Sequence, residues 1–394
     1  VPRFEPFRAI HYDLGTFDPA AVTAPPYDVI GPDERRSLSD RSPQNVVGID
    51  LPVDGDDPYA EAAARFEQWR AEGVLVTDPS PSFTVYRMET TDDDGVVRHT
   101  TGVIGAMELS RPGEGDILPH EFTTPKAKSD RLDLLRSTRA NLSAVWGLAP
   151  APGLTSLLEI DDAPMCRFEA DDVVHLLWRV EDPERVAAIS AAVGSHPIVI
   201  ADGHHRYETS LAYRDERRAD DGDAGEADAV MTFVVELVDE ELLVAPIHRL
   251  VSGLPSDLDL LEAFAPFFTI EAFELTGMGT IRTLQERGAL ALVRRDGAWL
   301  LQPRPKAMDG ARDLDSSRLD RALASLPEHT LQFQHGVDHV RRAVAQGEAQ
   351  AGVLLRPVTV EQIVAIADGG ERMPPKSTFF FPKPRTGLVF RSID

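Results

Sequence analysis

Apolar and polar positions along this chain repeat with two periods, and the segment 197–216, PIVIADGHHRYETSLAYRDE, holds both. Ile198-Val199-Ile200-Ala201 is short and β-branched, which predicts a buried strand. It stops at the turn pair Asp202-Gly203. Tyr207, Leu211 and Tyr213 then fall near helical spacing, so strand, turn and helix are expected in that order. Residues 57–73, with an acidic start and a glycine stop, predict an amphipathic helix. Runs at 83–88 and 97–109 predict strands separated by the turn Thr91-Asp92-Asp93-Asp94-Gly95.

Residues 111–115 read as a loop. From 117 to 148 the pattern passes from loop to helix to strand, with Asp130 as N-cap and Leu132, Leu135 and Arg139 on one helical face. Strands are expected at 167–168 and 173–180, a helix at 182–193, an acidic loop at 215–227, and a hairpin from 229–238 and 242–246. Beyond 255, helix and strand patterns interleave at 256–266, 268–274, 277–287, 290–295 and 298–303. Helices follow at 316–326, 337–346 and 359–368, with a strand at 351–356. The tail at 373–390 is neither helical nor of low complexity, and no solenoid repeat is present.

Composition narrows what such a chain does. Its 394 residues exceed a single core and imply two or three compact units. Forty basic against sixty-five acidic residues leave a net charge of −25, a field that repels nucleic acid, so no nucleic-acid partner is expected. A local basic pocket still accommodates a small anion. The single cysteine, Cys166, forms no internal disulfide, builds no cysteine zinc site, and reads as a small buried residue. The opening VPRFEPFRAIHYD lacks signal-peptide character, and no apolar stretch nears the roughly 20 residues of a membrane span. A cytoplasmic protein without a membrane partner is expected.

Five clusters carry candidate chemistry. Asp202, Gly203, His204, His205 and Arg206 sit where a strand enters a helix. The unpaired N–H groups of a first helical turn, two imidazoles and a guanidinium there suit phosphate or carboxylate. The competing reading makes Asp202 a plain N-cap and the basic residues a surface face. In Leu118-Pro119-His120-Glu121, Glu121 is a candidate general base beside His120, with Lys126 and Lys128 as candidate phosphate ligands, or the segment is a solvated loop. Pro25-Pro26-Tyr27-Asp28 presents a substrate wall, or a magnesium ligand in Asp28, or a packed turn. Lys376-Ser377-Thr378 has the chemistry of a phosphate loop without a Walker glycine pattern, or ends a C-terminal strand; Lys383 and Arg385 follow it. His335 and His339 have metal-ligand spacing, but Gly336 breaks the helix that would align them, so no zinc is expected. His248 and Arg249 join the anion site or end a strand.

Together APPYDVI, PHE, ADGHHRYET, PIHRL and MPPKSTFFFPKP resemble a widespread family of bacterial and archaeal proteins of about this length, filed as a domain of unknown function. The resemblance covers essentially the whole chain. More distantly, DGHHR behind a strand with an upstream Pro-His-Glu is similar to the ADP-dependent free serine kinase of the ParB/sulfiredoxin-like superfamily. That resemblance implies an α+β fold with N-terminal (1–110) and C-terminal (251–394) α+β extensions flanking a ParB/sulfiredoxin-like nucleotide-binding core at 111–250. It also implies a nucleotide-dependent small-molecule kinase using ADP or ATP, with a serine-like hydroxyl as acceptor. Glu121 would be the base, aided by His120. Asp202, Gly203, His204, His205 and Arg206 would hold phosphates, joined by Lys126, Lys128 and Lys376. On the residues themselves Tyr27, Asp28, His248 and Arg249 are candidate substrate contacts, and Asp28 or Asp202 a candidate Mg²⁺ ligand. The rival expectation is a non-catalytic nucleotide- or anion-binding regulator. Oligomeric state is left open.

Overall fold

The strand-rich first third and the interleaved last third fold into separate units. The structure, a computed structural model, describes residues 2–53, 55–91, 96–111, 113–119, 125–238, 241–276, 279–368 and 376–394; the side chains of 119, 125–129, 364, 367 and 368 fall outside the description. One unit comprises residues 1–243 with 382–394, and the other 244–381. The position near 110 expected as a domain boundary falls inside a continuous sheet.

The first unit is built on a nine-stranded sheet. In chain order its strands are β1 (Phe4–Glu5), β2 (Phe83–Thr91), β3 (Val97–Glu108), β4 (Ile117–Pro119), β5 (Val145–Ala149), β6 (Cys166–Ala170), β7 (Val173–Val180), β8 (Ile198–Asp202) and β9 (Ala229–Glu236). Their spatial order is β4-β8-β5-β9-β3-β2-β7-β6, with β1 added to β3. The pairs β4–β8 and β5–β9 are parallel and the others antiparallel, so the sheet is mixed. Residues 83–91 and 97–108 form the expected antiparallel pair; the turn residues 92–95 lie outside the described set.

Close packing at the sheet centre depends on β3. A Cβ on Gly105 would stand 2.5 Å from Phe4 Cζ and 2.7 Å from Phe83 Cε1. Those rings stack with centroids 5.2 Å apart, filling the room that the absent side chain leaves. Around them lie Val85, Val103, Met107, Val145, Ile198, Ile200 and Tyr207, all buried. A second cluster gathers Ile10, Tyr12, Val46, Ile49, Phe66, Trp69 and Phe390. Its helix Pro58–Ala71 starts as expected, with the Asp57 carboxylate accepting from Ala60 N at 3.1 Å.

Three sequence expectations are corrected in this unit. The helix containing Asp130 begins at Pro125 and runs to Thr138, so Asp130 is an interior residue and not its N-cap. Its carboxylate instead accepts from Tyr59 Oη at 2.7 Å and pairs with Arg131 at 2.8 Å. The expected acidic loop at 215–227 is helical as far as Asp221, where Gly222 caps it at φ 78°. Acidic residues are tolerated there because arginines meet them: Arg217–Asp221 at 2.9 Å, Arg136–Glu216 at 2.6 Å and Arg218–Asp228 at 2.6 Å. Finally, 229–236 is not half of a local hairpin; it is β9, with β5 and β3 as partners. Cys166 is buried as expected, and burial pushes its thiol up to about 11.

The second unit has its own six-stranded antiparallel sheet. Its strands are β10 (Ile247–Ser252), β11 (Phe268–Phe273), β12 (Leu290–Arg294), β13 (Gly297–Pro303), β14 (Thr330–His335) and β15 (Ala351–Leu354), in the order β11-β13-β12-β15-β10-β14. Its cores include Phe264, Phe268, Leu292, Leu301 and Val353, and Leu284, Leu300, Val340 and Val344. His335 ends a strand, Gly336 turns at φ 77°, and the next helix runs Val337–Gln346. The glycine thus separates the two histidines, as its position in the sequence suggests.

Candidate functional site

The strand, turn and helix expected around the DGHHR motif form as β8, a glycine turn, and a helix from His204 to Asp221. The β8–β5 register shifts between Ile200 and Asp202. Such an irregularity re-aims a strand end. Gly203 is the N-cap at φ 87°, a left-handed conformation that favours glycine. It supplies no side-chain cap, so the first helical N–H groups are not satisfied by the N-cap residue. Asp202 is therefore not the N-cap.

Asp202 is an electrostatic centre instead. One carboxylate oxygen accepts from Arg206 Nη2 at 2.6 Å. The other accepts from Lys383 Nζ at 2.7 Å. The same ammonium donates to Asp28 Oδ2 at 2.9 Å. Burial opposes the charge on Asp202, but Lys383 and Arg206 outweigh it and hold the carboxyl at about 2. Burial likewise opposes the Lys383 charge, and Asp202 and Asp28 overcome it, raising its pKa.

Arg206, expected to hold phosphate, is itself paired within the turn. Its guanidinium folds back onto Asp202 and donates to the Ala144 carbonyl. Those partners fix its head under the turn. Burial works against its charge, Asp202 more than offsets that, and its pKa is raised. His204 is buried and His205 half-buried beside it.

Asp28 reaches this point from a single helical turn, Tyr27–Val29, behind Pro25 and Pro26. Lys383 arrives from the other end of the chain. Ala24 and Thr386 exchange backbone hydrogen bonds of 3.1 and 2.9 Å, laying the C-terminal segment beside the proline loop. Arg385 reinforces the junction by donating to Thr23 Oγ1 at 2.9 Å. Lys383 was visible in sequence only as a cation near the tail; 355 residues separate it from Asp28. Asp28 and Asp202 do converge, but on an ammonium. Among the described residues no group of three or more histidine, cysteine, aspartate or glutamate side chains is arranged around a common point.

Beside the turn lies a cavity of about 50 Å³, bordered by Tyr27, Asp50, Arg131, Arg206, Thr209 and Ser210. Arg131 Nη1 donates to the Asp50 carbonyl at 2.7 Å and its carboxylate at 3.3 Å, and the guanidinium lies 4.4 Å from the Tyr27 ring centroid. Burial raises the Asp50 carboxyl, with Arg131 and then Arg206 opposing it. Burial also raises the Tyr27 phenol, again against the two arginines. Asp50 carried no motif in the sequence, and Thr209 only closed the ADGHHRYET run without a role of its own. Only the tertiary contact with Arg131 and Arg206 marks them.

The remaining expected site residues divide as follows. His120 and Glu121 lie outside the described residues, as do the side chains of Lys126 and Lys128 on the helix Pro125–Thr138. His248, Arg249 and Lys376 belong to the second unit. There His248 is buried on β10, accepts from Leu355 N at 3.2 Å, and is pushed down to about 3 by burial and the nearby His335 and Arg249. Arg249 donates to the Lys376 carbonyl at 3.1 Å, and Lys376 has φ 59°. No helix among the described residues is long and apolar enough to cross a membrane.

Residues 4–327 match the family described as protein of unknown function, DUF1015. No curated protein matches the chain. Similar solved structures include a conserved hypothetical protein from Pyrococcus furiosus, 13% identical, covering 70% of this chain and 90% of that one at TM-score 0.37. A free serine kinase in complex with AMP is 14% identical over 69% of this chain and 89% of its own, at TM-score 0.36. SbnI with a C-terminal truncation, from Staphylococcus aureus, is 12% identical over 72% and 85%, at TM-score 0.41. Likeness at this level assigns no residue here a role.

Proposed function

The chain belongs to the DUF1015 family, and we propose that it is a nucleotide-dependent small-molecule kinase whose phosphate site is the Asp202–Arg206 turn. One observation carries this reading: Lys383, Asp202, Asp28 and Arg206 meet at a left-handed glycine that opens an 18-residue helix. The helix start favours negative charge, and glycine permits close approach of the backbone to a ligand. Asp28, with its side chain 37% exposed, is the partner that an entering phosphate displaces most easily from Lys383. Phosphoryl transfer asks mainly for positioning and positive charge, and the charge of Lys383 becomes available once phosphate displaces Asp28.

In this reading a ParB/sulfiredoxin-like nucleotide-binding core within the first unit carries the turn, and Asp28 and Lys383 reach it from the two ends of the chain. His204, His205, Lys126 and Lys128 assist with phosphates of ADP or ATP. Glu121, next to His120, accepts the proton of a serine-like hydroxyl. Mg²⁺ accompanies the nucleotide, and its carboxylate ligand becomes available when Lys383 turns to phosphate. Tyr27 is retained as a binding residue, whereas Lys376, His248 and Arg249 belong to the second unit and are not assigned to this site.

The test is a thermal-shift series with ADP, ATP, CTP and pyrophosphate plus Mg²⁺, followed by phosphorus NMR with an amino-acid mixture. A ligand at a hundred times its Kd adds about 2.7 kcal/mol of stability. Glu121→Gln is expected to keep the shift and lose turnover. The absence of a shift with every nucleotide overturns the proposal, and full turnover in Glu121→Gln overturns the choice of base. A non-catalytic regulator is the second reading. It is favoured by Lys383 reaching the turn from the segment 382–394, so that a ligand at the turn also acts on that segment. Stabilisation by nucleotide without product selects it.

A further inference from the structure

The cavity beside the turn differs chemically from the turn itself. Its volume is about 50 Å³. A water needs roughly 10–15 Å³ of such space, so the pocket has room for more than a single water and for the polar group of a small ligand. The cations on its border are already engaged. Arg131 is held by Asp50 and Asp130, and Arg206 by Asp202 and the Ala144 carbonyl, with only its Nε lacking a partner among the described residues. A second anion is therefore poorly matched. What the wall offers is the Asp50 carboxylate, Ser210, whose hydroxyl donates to the Arg206 carbonyl at 2.9 Å, and Thr209.

Thr209 is the residue that points to an occupant. It is 3% exposed, and its Oγ1 has no hydrogen-bond partner among the described residues. A buried hydroxyl left unsatisfied destabilises a fold unless something else uses it. We propose that this cavity binds a small, uncharged or zwitterionic hydroxyl compound, whose hydroxyl donates to Asp50 and accepts from Thr209. Arg206 borders both places, so a molecule there sits next to the phosphate turn. Calling it the phosphoryl acceptor rests on the function proposed above; its binding does not.

The experiment uses the full chain and titrates L-serine, glycerol and ethanolamine by calorimetry and NMR, with and without ADP. Thr209→Val keeps the shape and removes the hydroxyl. Its expected signature is a higher Tm than the parent protein, a probe Kd about tenfold weaker, and an unchanged ADP affinity. Asp50→Asn, with folding checked by circular dichroism, is expected to weaken the probe as well. The inference is overturned if no probe binds, or if Thr209→Val binds as tightly as the parent. Probe binding without any ADP binding leaves this site standing and removes the kinase reading. ADP binding with no probe does the reverse.

Discussion

Asp202 concentrates the chemistry of the first unit in one carboxylate. Its folded pKa of about 2 lies below the ordinary value of 3.8. A depressed carboxyl stabilises the fold fully above its unfolded pKa and loses that contribution as pH falls through the folded one. The window is therefore from about pH 4 down to about pH 2, and the contribution is roughly 2 kcal/mol. Lys383→Met is expected to abolish most of this contribution at neutral pH and to flatten the acid limb, as followed by urea denaturation at several pH values. It should also weaken any nucleotide-induced thermal shift. Gly203 carries the second residue-scale prediction. At φ 87°, with Arg206 Cζ 3.0 Å from a built Cβ, Gly203→Ala costs on the order of 1–2 kcal/mol in urea. The glycine and the Asp202–Arg206 spacing were legible in the sequence because they are local. Lys383 as a partner was not, since nothing local couples 202 to 383.

Elements were read best where one hydrophobic face decided them. The strands at 83–91, 97–108, 173–180 and 198–202 and the helices Pro58–Ala71 and Pro183–Gly194 formed close to their expected limits. Misreadings came where charge dominated the pattern. Residues 215–221 looked like a loop because they are acidic, yet the arginines paired with them keep the helix going to Asp221. Strand partnership is also invisible locally: 229–236 follows a helix but pairs with β5 and β3. A test at this scale is Gly105→Ala on β3. The added Cβ meets two stacked phenylalanines at 2.5 and 2.7 Å, so overpacking is expected to cost about 1–3 kcal/mol, read as a lower urea midpoint with an unchanged slope.

At the scale of the molecule, chain order and spatial order part. The segment 382–394 belongs to the first unit although 244–381 precede it. Phe390 is fully buried there, 5.7 Å from Phe66 and 6.0 Å from Tyr12 between ring centroids. Removing 382–394 is expected to destabilise the first unit by more than the roughly 3–5 kcal/mol that losing one buried phenylalanine costs, measured as loss of its cooperative melting transition. The net charge of −25 adds a further expectation: Tm rises from low to physiological salt as self-repulsion is screened. By itself the sequence determined the strand–turn–helix at 198–216, the glycine that lets it turn, the burial of Cys166 and the net charge of −25. Each follows from local periodicity, local sterics or summed charge. Only the tertiary structure decided that Lys383 meets Asp202, that Asp28 and Asp202 share its one ammonium, and that Asp50 and Thr209 border a cavity. Those pairings join residues scores to hundreds of positions apart, and they are set by sheet order and chain closure, which no local pattern encodes.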